Sequence, residues 1–91
     1  MTGMYNPPHP GLLFEDYFGD VSLAEAARRL GVTRATLSRI RYGHSAMTAN
    51  MAVRLGLLLG TSAEFWLGMQ TTYDLWNEKQ KSRPEILPLA D

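Results

Sequence analysis

Six arginines, Arg28, Arg29, Arg34, Arg39, Arg41 and Arg54, fall within residues 26–63, a stretch of 38 residues without one aspartate or glutamate. A guanidinium is a permanent cation with a planar fork of donors. Its chemistry is therefore the clamping of carboxylates and phosphates through paired hydrogen bonds. The whole chain balances nine basic against nine acidic residues and is formally neutral, so positive charge is sorted here rather than in excess. Compensating acids lie in the flanks, Glu15, Asp16, Asp20 and Glu25 before the stretch and Glu64, Asp74 and Glu78 after it. A single arginine on a helix is ordinarily just solvated. Six with no acid among them imply a field aimed at an anionic partner.

Other chemistries are poorly supplied. Without cysteine there is neither a disulfide nor a thiolate metal site. His9 and His44 are far apart and lack the HExxH or CxxC company of a metal centre. An enzyme using either histidine as a base would need a nucleophile and an orienting group, or paired carboxylates in an apolar setting, and no such set is visible. No cofactor is implied. The longest apolar run, Leu57 to Leu59, is far too short to cross a bilayer. The N-terminus shows no basic region followed by an apolar run, and a cytoplasmic protein without a membrane partner is expected.

Ninety-one residues, 45% hydrophobic, support one domain with one modest core. The proline-rich lead-in, Asn6 to Gly11, cannot be a helix interior. Leu12, Leu13, Phe14, Tyr17 and Phe18 fit one short helix stopped at Gly19. Ser22 and Glu25 have the spacing of a capping box for a second helix, with Ala26, Ala27 and Leu30 inward and Gly31 at its end. Val32 is expected in the turn, and Thr33 caps a third helix whose inner face is Leu37 and Ile40. Thr48 caps a fourth, in which Met51, Ala52, Val53, Leu55, Leu57, Leu58 and Leu59 leave almost no polar face, so it is expected at the centre. Thr61 to Glu64 reads as a second capping box opening a fifth helix to about Lys79. On that helix Phe65, Trp66, Met69, Tyr73 and Trp76 share one arc, and Leu67 and Leu75 fall outside it. The expected fold is all-α, five helices with a longer last one. Residues 1–8 and 82–91 are expected as flexible ends around a domain of residues 9–81.

The spacing Ala27, Gly31, Leu37, Ile40 is that of a helix-turn-helix. Two helices cross steeply over a tight turn, so the residue at the crossing must be small and the turn favours glycine. The second helix must bury one side and present the other. Its outward residues are Arg34, Ala35, Thr36 and Arg39, at the end that enters a major groove in this motif. An arginine fork fits guanine O6 and N7, and the methyls of threonine and alanine suit the thymine methyl. Arg28, Arg41 and Arg54 are assigned to phosphates, with Thr33 and the amides that it caps. Double-stranded DNA is the expected partner.

On these residues the chain resembles a family. HPG before the first helix, SLAEAARRLGVTRATLSRI and above all GTSAEFWLGMQTTYDLW are similar to the HigA-type antitoxins, a branch of the Xre/Cro-like (lambda repressor-like) helix-turn-helix proteins. The resemblance runs from about His9 to Trp76, and its specific part is Phe65-Trp66-Leu67, Gln70 and Tyr73 to Trp76. It implies a dimeric DNA-binding antitoxin that neutralises a HigB-type, RelE-like endoribonuclease toxin by complex formation and represses the operon encoding both. Arg34, Ala35, Thr36 and Arg39 match the base-reading positions, and Thr33 a cap that touches the DNA backbone. Two positions depart from the pattern. Leu23 stands where relatives often place a glutamine that touches phosphate. Tyr42-Gly43-His44 replaces an Asn-Gly-Arg or Asn-Gly-Lys, which puts His44 at a phosphate-contact position without an assured charge.

Apolar residues on the fifth helix exceed what one core-facing arc needs, and Leu67, Leu75 and Trp76 are the expected homodimer interface. A stand-alone repressor of phage or plasmid type without a toxin is the alternative, and the neighbouring gene discriminates between them. A protein-interaction module that has lost DNA binding is a third reading, which Leu23 and His44 favour and a gel shift tests.

Overall fold

The computed structural model describes residues 6–90. A 3-10 turn, Pro10–Leu13, leads into α1 (Phe14–Phe18), followed by α2 (Leu23–Leu30), α3 (Arg34–Arg41), α4 (Ala49–Leu59) and the longer α5 (Ala63–Lys79). No strand occurs among the described residues. Residues 1–5 and 91, within the ends expected to be flexible, lie outside the described residues. Pro7 is already buried, and residues 82–90 are exposed and enter no helix.

Local chemistry sets most boundaries. Ser22 Oγ accepts from Glu25 N–H at 3.1 Å, Thr33 Oγ1 from Thr36 N–H at 3.0 Å and Thr48 Oγ1 from Met51 N–H at 3.1 Å, each satisfying a free donor of a first turn. α2 ends at Gly31, whose φ of 75° is the left-handed conformation that favours glycine. Two details differ from expectation. The cap of α5 is Ser62, which accepts from Phe65 N–H at 3.0 Å, while Thr61 Oγ1 instead accepts from Trp66 Nε1–H at 2.7 Å. Glu25 does not close its capping box, because its carboxylate turns to Arg28 and Arg29.

α2 and α3 cross with Ala27, Leu37 and Ile40 buried between them and the rest of the core. Trp66 is completely buried, edge-on to Phe14, Tyr17 and Phe65 with ring centroids 5.8, 5.3 and 5.1 Å away. One indole thus joins α1 to α5.

The expectation of a central α4 is corrected. Only Met51, Ala52 and Leu55 are buried on it. Leu57 is 83% exposed and Val53 52% exposed. Its neighbours α2 and α5 cover one side, and an apolar side chain is buried only where another element covers it. The expected arc on α5 also shifts. Trp66 and Gln70 are its buried residues, Met69, Tyr73 and Trp76 are half-buried, and Phe65 stands at the rim. Leu67, expected outside the core, packs against it.

Gly11 brings the 3-10 turn onto the last turn of α3. A Cβ there would come within 1.9 Å of the Ile40 carbonyl oxygen and 2.9 Å of Arg41 Cα. Backbone on backbone leaves no flexible side chain to yield. Gly11→Ala should therefore destabilise the protein by about 1–3 kcal/mol, as overpacking of a close contact does. Urea unfolding measures it, and an unchanged midpoint would show that the turn moves off α3 without cost.

Candidate nucleic-acid interface

The candidate surface is the outer side of α3 and the loop after it. Arg34, Ala35, Thr36 and Arg39 are all exposed, as the spacing requires, and no acid lies within α3. Thr33 Oγ1 accepts from Thr36 N–H and donates to Thr36 Oγ1 at 2.8 Å, so the hydroxyl pair locks the first turn. Arg39 Nε donates to Ser45 Oγ at 3.1 Å, which leaves its two terminal nitrogens for an outside partner. His44 and Tyr42 are exposed on the loop.

The other arginines are committed inward to different degrees. Glu25 forks between Arg28 and Arg29, with Arg28 Nε–H donating at 2.9 Å and Arg29 Nε–H at 2.7 Å. Hydrogen bonds from Arg28 first, then Arg29, hold the Glu25 carboxyl down at about 2. The acid just outside the acid-free stretch thus offsets part of its charge, although the Arg28 side chain remains 71% exposed. Arg41 is not free as expected. Its side chain is 17% exposed, pairs with Glu15 at 2.9 Å and lies 4.9 Å from the Tyr42 ring centroid. Arg54 is not free either. Its Nη1 donates to the Leu30 carbonyl at 2.6 Å and its Nε to Asn50 Oδ1 at 2.8 Å. It satisfies a last-turn carbonyl of α2 from α4, a structural role. Leu23 is half-buried against the core.

Three residues behind this surface were not assigned to it from the sequence. Gln70 is buried, and its Oε1 accepts from Met47 N–H at 2.7 Å while its Nε2 donates to Asp74 Oδ1 at 2.9 Å. Its type and place, one turn beyond Trp66, suit a dimer contact or a solvated face equally. Ser45 was silent, because a loop serine has no periodicity. His9 is also buried, and its Nδ1 accepts from Gly11 N–H at 3.0 Å. Burial pushes its imidazole below the ordinary value, against the raising effects of a backbone hydrogen bond with Ser45 and the charge of Asp74. A neutral ring is what the accepting Nδ1 requires. Leu75 is exposed and Trp76 half-buried at the far part of α5, whereas Leu67 is turned to the core. Among the described residues no cluster of three or more His, Asp or Glu side chains could hold a metal ion. None of the helices is long and apolar enough to cross a membrane.

Comparison with known proteins agrees with this geometry. A helix-turn-helix family model matches residues 19–66. Virulence-associated protein A′ of Dichelobacter nodosus is 47% identical over 76 residues, covering 79% of this chain and 65% of that one, just under two thirds of the relative. The uncharacterized HTH-type transcriptional regulator YddM of Escherichia coli is 35% identical over 74 residues, 79% of each chain. Among solved structures, the Pseudomonas aeruginosa antitoxin HigA with the higBA promoter superposes with a TM-score of 0.77 at 40% identity, covering 91% of this chain and 98% of that one.

The fork at Glu25 is testable by itself. Its folded value lies below the ordinary 4.5. Its contribution to the native state is therefore complete above pH 4.5 and is lost as pH falls toward 2. Arg28→Ala should move the Glu25 titration back up toward 4.5, and Arg29→Ala should move it less. Carboxyl titration followed by NMR measures both, and a Glu25 value unmoved in Arg28→Ala would refute the fork.

Proposed function

The chain belongs to the Xre-type helix-turn-helix family that includes the HigA antitoxins, and from that premise we propose that it is an antitoxin-type regulator. It binds operator DNA through α3 as a homodimer, represses its own operon and neutralises a HigB-type endoribonuclease toxin by forming a complex with it. The observation that carries the DNA-binding part is the outer face of α3, where Arg34, Ala35, Thr36 and Arg39 are exposed with no acid among them. Arg39 and Arg34 are the base readers, and Ala35 and Thr36 offer methyls to thymine. Phosphate contact falls to Arg28, His44 and the amides at the Thr33 cap, because Arg41 and Arg54 would first have to leave Glu15 and the Leu30 carbonyl.

The solved HigA relative with promoter DNA supports the operator as partner. The toxin rests on the family resemblance, and its docking site in this reading is folded surface including α1 and the N-terminal segment. A second reading is a stand-alone regulator without a toxin, in keeping with YddM, a relative described only as an uncharacterized HTH-type transcriptional regulator. Co-expression with the neighbouring gene product decides: a small basic RelE-like protein that co-purifies with the chain supports the antitoxin, and one that does not leaves the regulator.

Binding to the DNA upstream of the chain's own gene, against a shuffled duplex, separates the arginines. Arg34→Ala and Arg39→Ala should each cost about 1–3 kcal/mol of discrimination if the side chain is bidentate to guanine. Equal losses on both duplexes would leave these residues only phosphate contact. Arg28→Ala should weaken both duplexes alike and make the slope of log affinity against log salt shallower by about 0.9. Arg54→Ala should lower stability and leave that slope alone.

Two half-sites lie one helical turn apart, roughly 34–36 Å, so a linked pair of domains is what reads an operator. In this reading the pairing surface is the far part of α5 at the exposed Leu75 and half-buried Trp76, without Leu67, which packs against the core. Trp76→Glu should give a monomer by sedimentation, with helix content near wild type, and should weaken operator binding strongly because the half-sites are no longer bound as a pair. A wild-type monomer, or a Trp76→Glu dimer, would move the interface elsewhere.

A further inference from the structure

The loop of residues 42–48, between α3 and α4, is held from the protein side at two points, Met47 and Gly43. Gln70 reaches it from α5, with Oε1 accepting from the Met47 N–H. Asp74 fixes which end of the amide does so. A carboxylate only accepts, so it takes the Gln70 Nε2–H and turns the oxygen toward Met47. His9 lies beneath Gly43, where an added Cβ would stand 3.9 Å from the ring. The loop in turn grips Arg39. Backbone N–H groups of His44 and Ser45 donate to the Arg39 carbonyl at 2.7 and 3.1 Å, and Ser45 Oγ accepts from Arg39 Nε. Two sets of hydrogen bonds, Asp74–Gln70–Met47 and Ser45–Arg39, are therefore joined through the short backbone segment from Ser45 to Met47.

An arginine has many rotamers, and a bidentate contact discriminates between bases only when the fork is presented in one geometry. We infer that Gln70 is a positioning residue for sequence reading, which through the Met47 N–H sets the loop that holds Arg39 in its reading geometry. This rests on Arg39 meeting a base, as proposed above. Gln70 touches no nucleic acid in this role. It is buried on the opposite side of the loop, so its effect passes through Met47 and Ser45. The same bonds tie α5, the helix proposed for pairing, to the reading surface, because Asp74 directly precedes Leu75 and Trp76 in sequence.

The test is discrimination between the chain's own upstream DNA and a shuffled duplex, measured by fluorescence anisotropy, with circular dichroism as the check on folding. Gln70→Met keeps the shape and removes the acceptor. It should reduce discrimination by roughly five- to tenfold, less than Arg39→Ala does, with an unchanged salt slope because no phosphate contact is lost. In an Arg39→Ala background it should reduce discrimination no further, a result that a merely structural role would not give. A second series covers the case in which Gln70→Met does not fold. Gln70→Glu sets two carboxylates against each other and should lose discrimination. Adding Asp74→Asn restores a donor facing an acceptor, with the Met47 N–H still bonded, and should restore it. A folded Gln70→Met with wild-type discrimination overturns the inference, as does a loss that persists without Arg39 or a swap that restores nothing. If Arg39→Ala itself keeps wild-type discrimination, base reading by Arg39 falls and this inference falls with it.

Discussion

A helix of eight residues that keeps one face for the outside has little with which to hold itself down. α3 buries only Leu37 and Ile40, and a fully buried side chain of that kind contributes roughly 1.5–3 kcal/mol. Two such anchors can fasten a helix without fixing its position to a fraction of an ångström. The remainder of the fold supplies what is missing by fixing the ends. At the start of α3, Thr33 locks the first turn, and Arg54 ties the end of the preceding helix to α4. At its end, Gly11 lets backbone rest on backbone at Ile40, and Gln70 holds the loop that follows. Trp66 then joins the aromatic cluster of α1 to α5, the helix from which Gln70 reaches out.

The charge follows the same economy of position. Six arginines that look alike along the chain have different surroundings. Arg28 and Arg29 share Glu25, Arg41 faces Glu15, Arg54 caps α2, and Arg39 is steadied by a serine. Arg34 forms no ion pair among the described residues. Exposed ion pairs contribute little to stability because water screens them. Their effect here is to set how many cations remain for an outside anion. A stripe of six is therefore an upper bound on the cations of this stretch that are free for an outside anion.

Much of this was legible from residue types and spacing. Caps at Ser22, Thr33 and Thr48, the glycine stop at Gly31, and the inward pair Leu37 and Ile40 each follow from interactions within one or two helical turns. Such interactions involve sequence neighbours, so a sequence contains them. The exposed outer face of α3 follows too, because burying one side of a short helix leaves the other side outward. Gln70 was not legible, since its type and place suit a dimer contact or a solvated face equally, and only packing buried it.

The remaining features depend on partners distant in the chain. Apolar content made α4 look central, yet Val53 and Leu57 are exposed because no element lies over them. Arg41 and Arg54 were indistinguishable from surface cations until Glu15 and the Leu30 carbonyl came within reach. His9 was a loop residue in a proline-rich lead-in until the packing of that turn on α3 buried it. The physical reason is the same in each case. A side chain's type states which interactions it can make, whereas burial and pairing depend on which remote backbone arrives beside it, and that is settled only when the whole chain has packed.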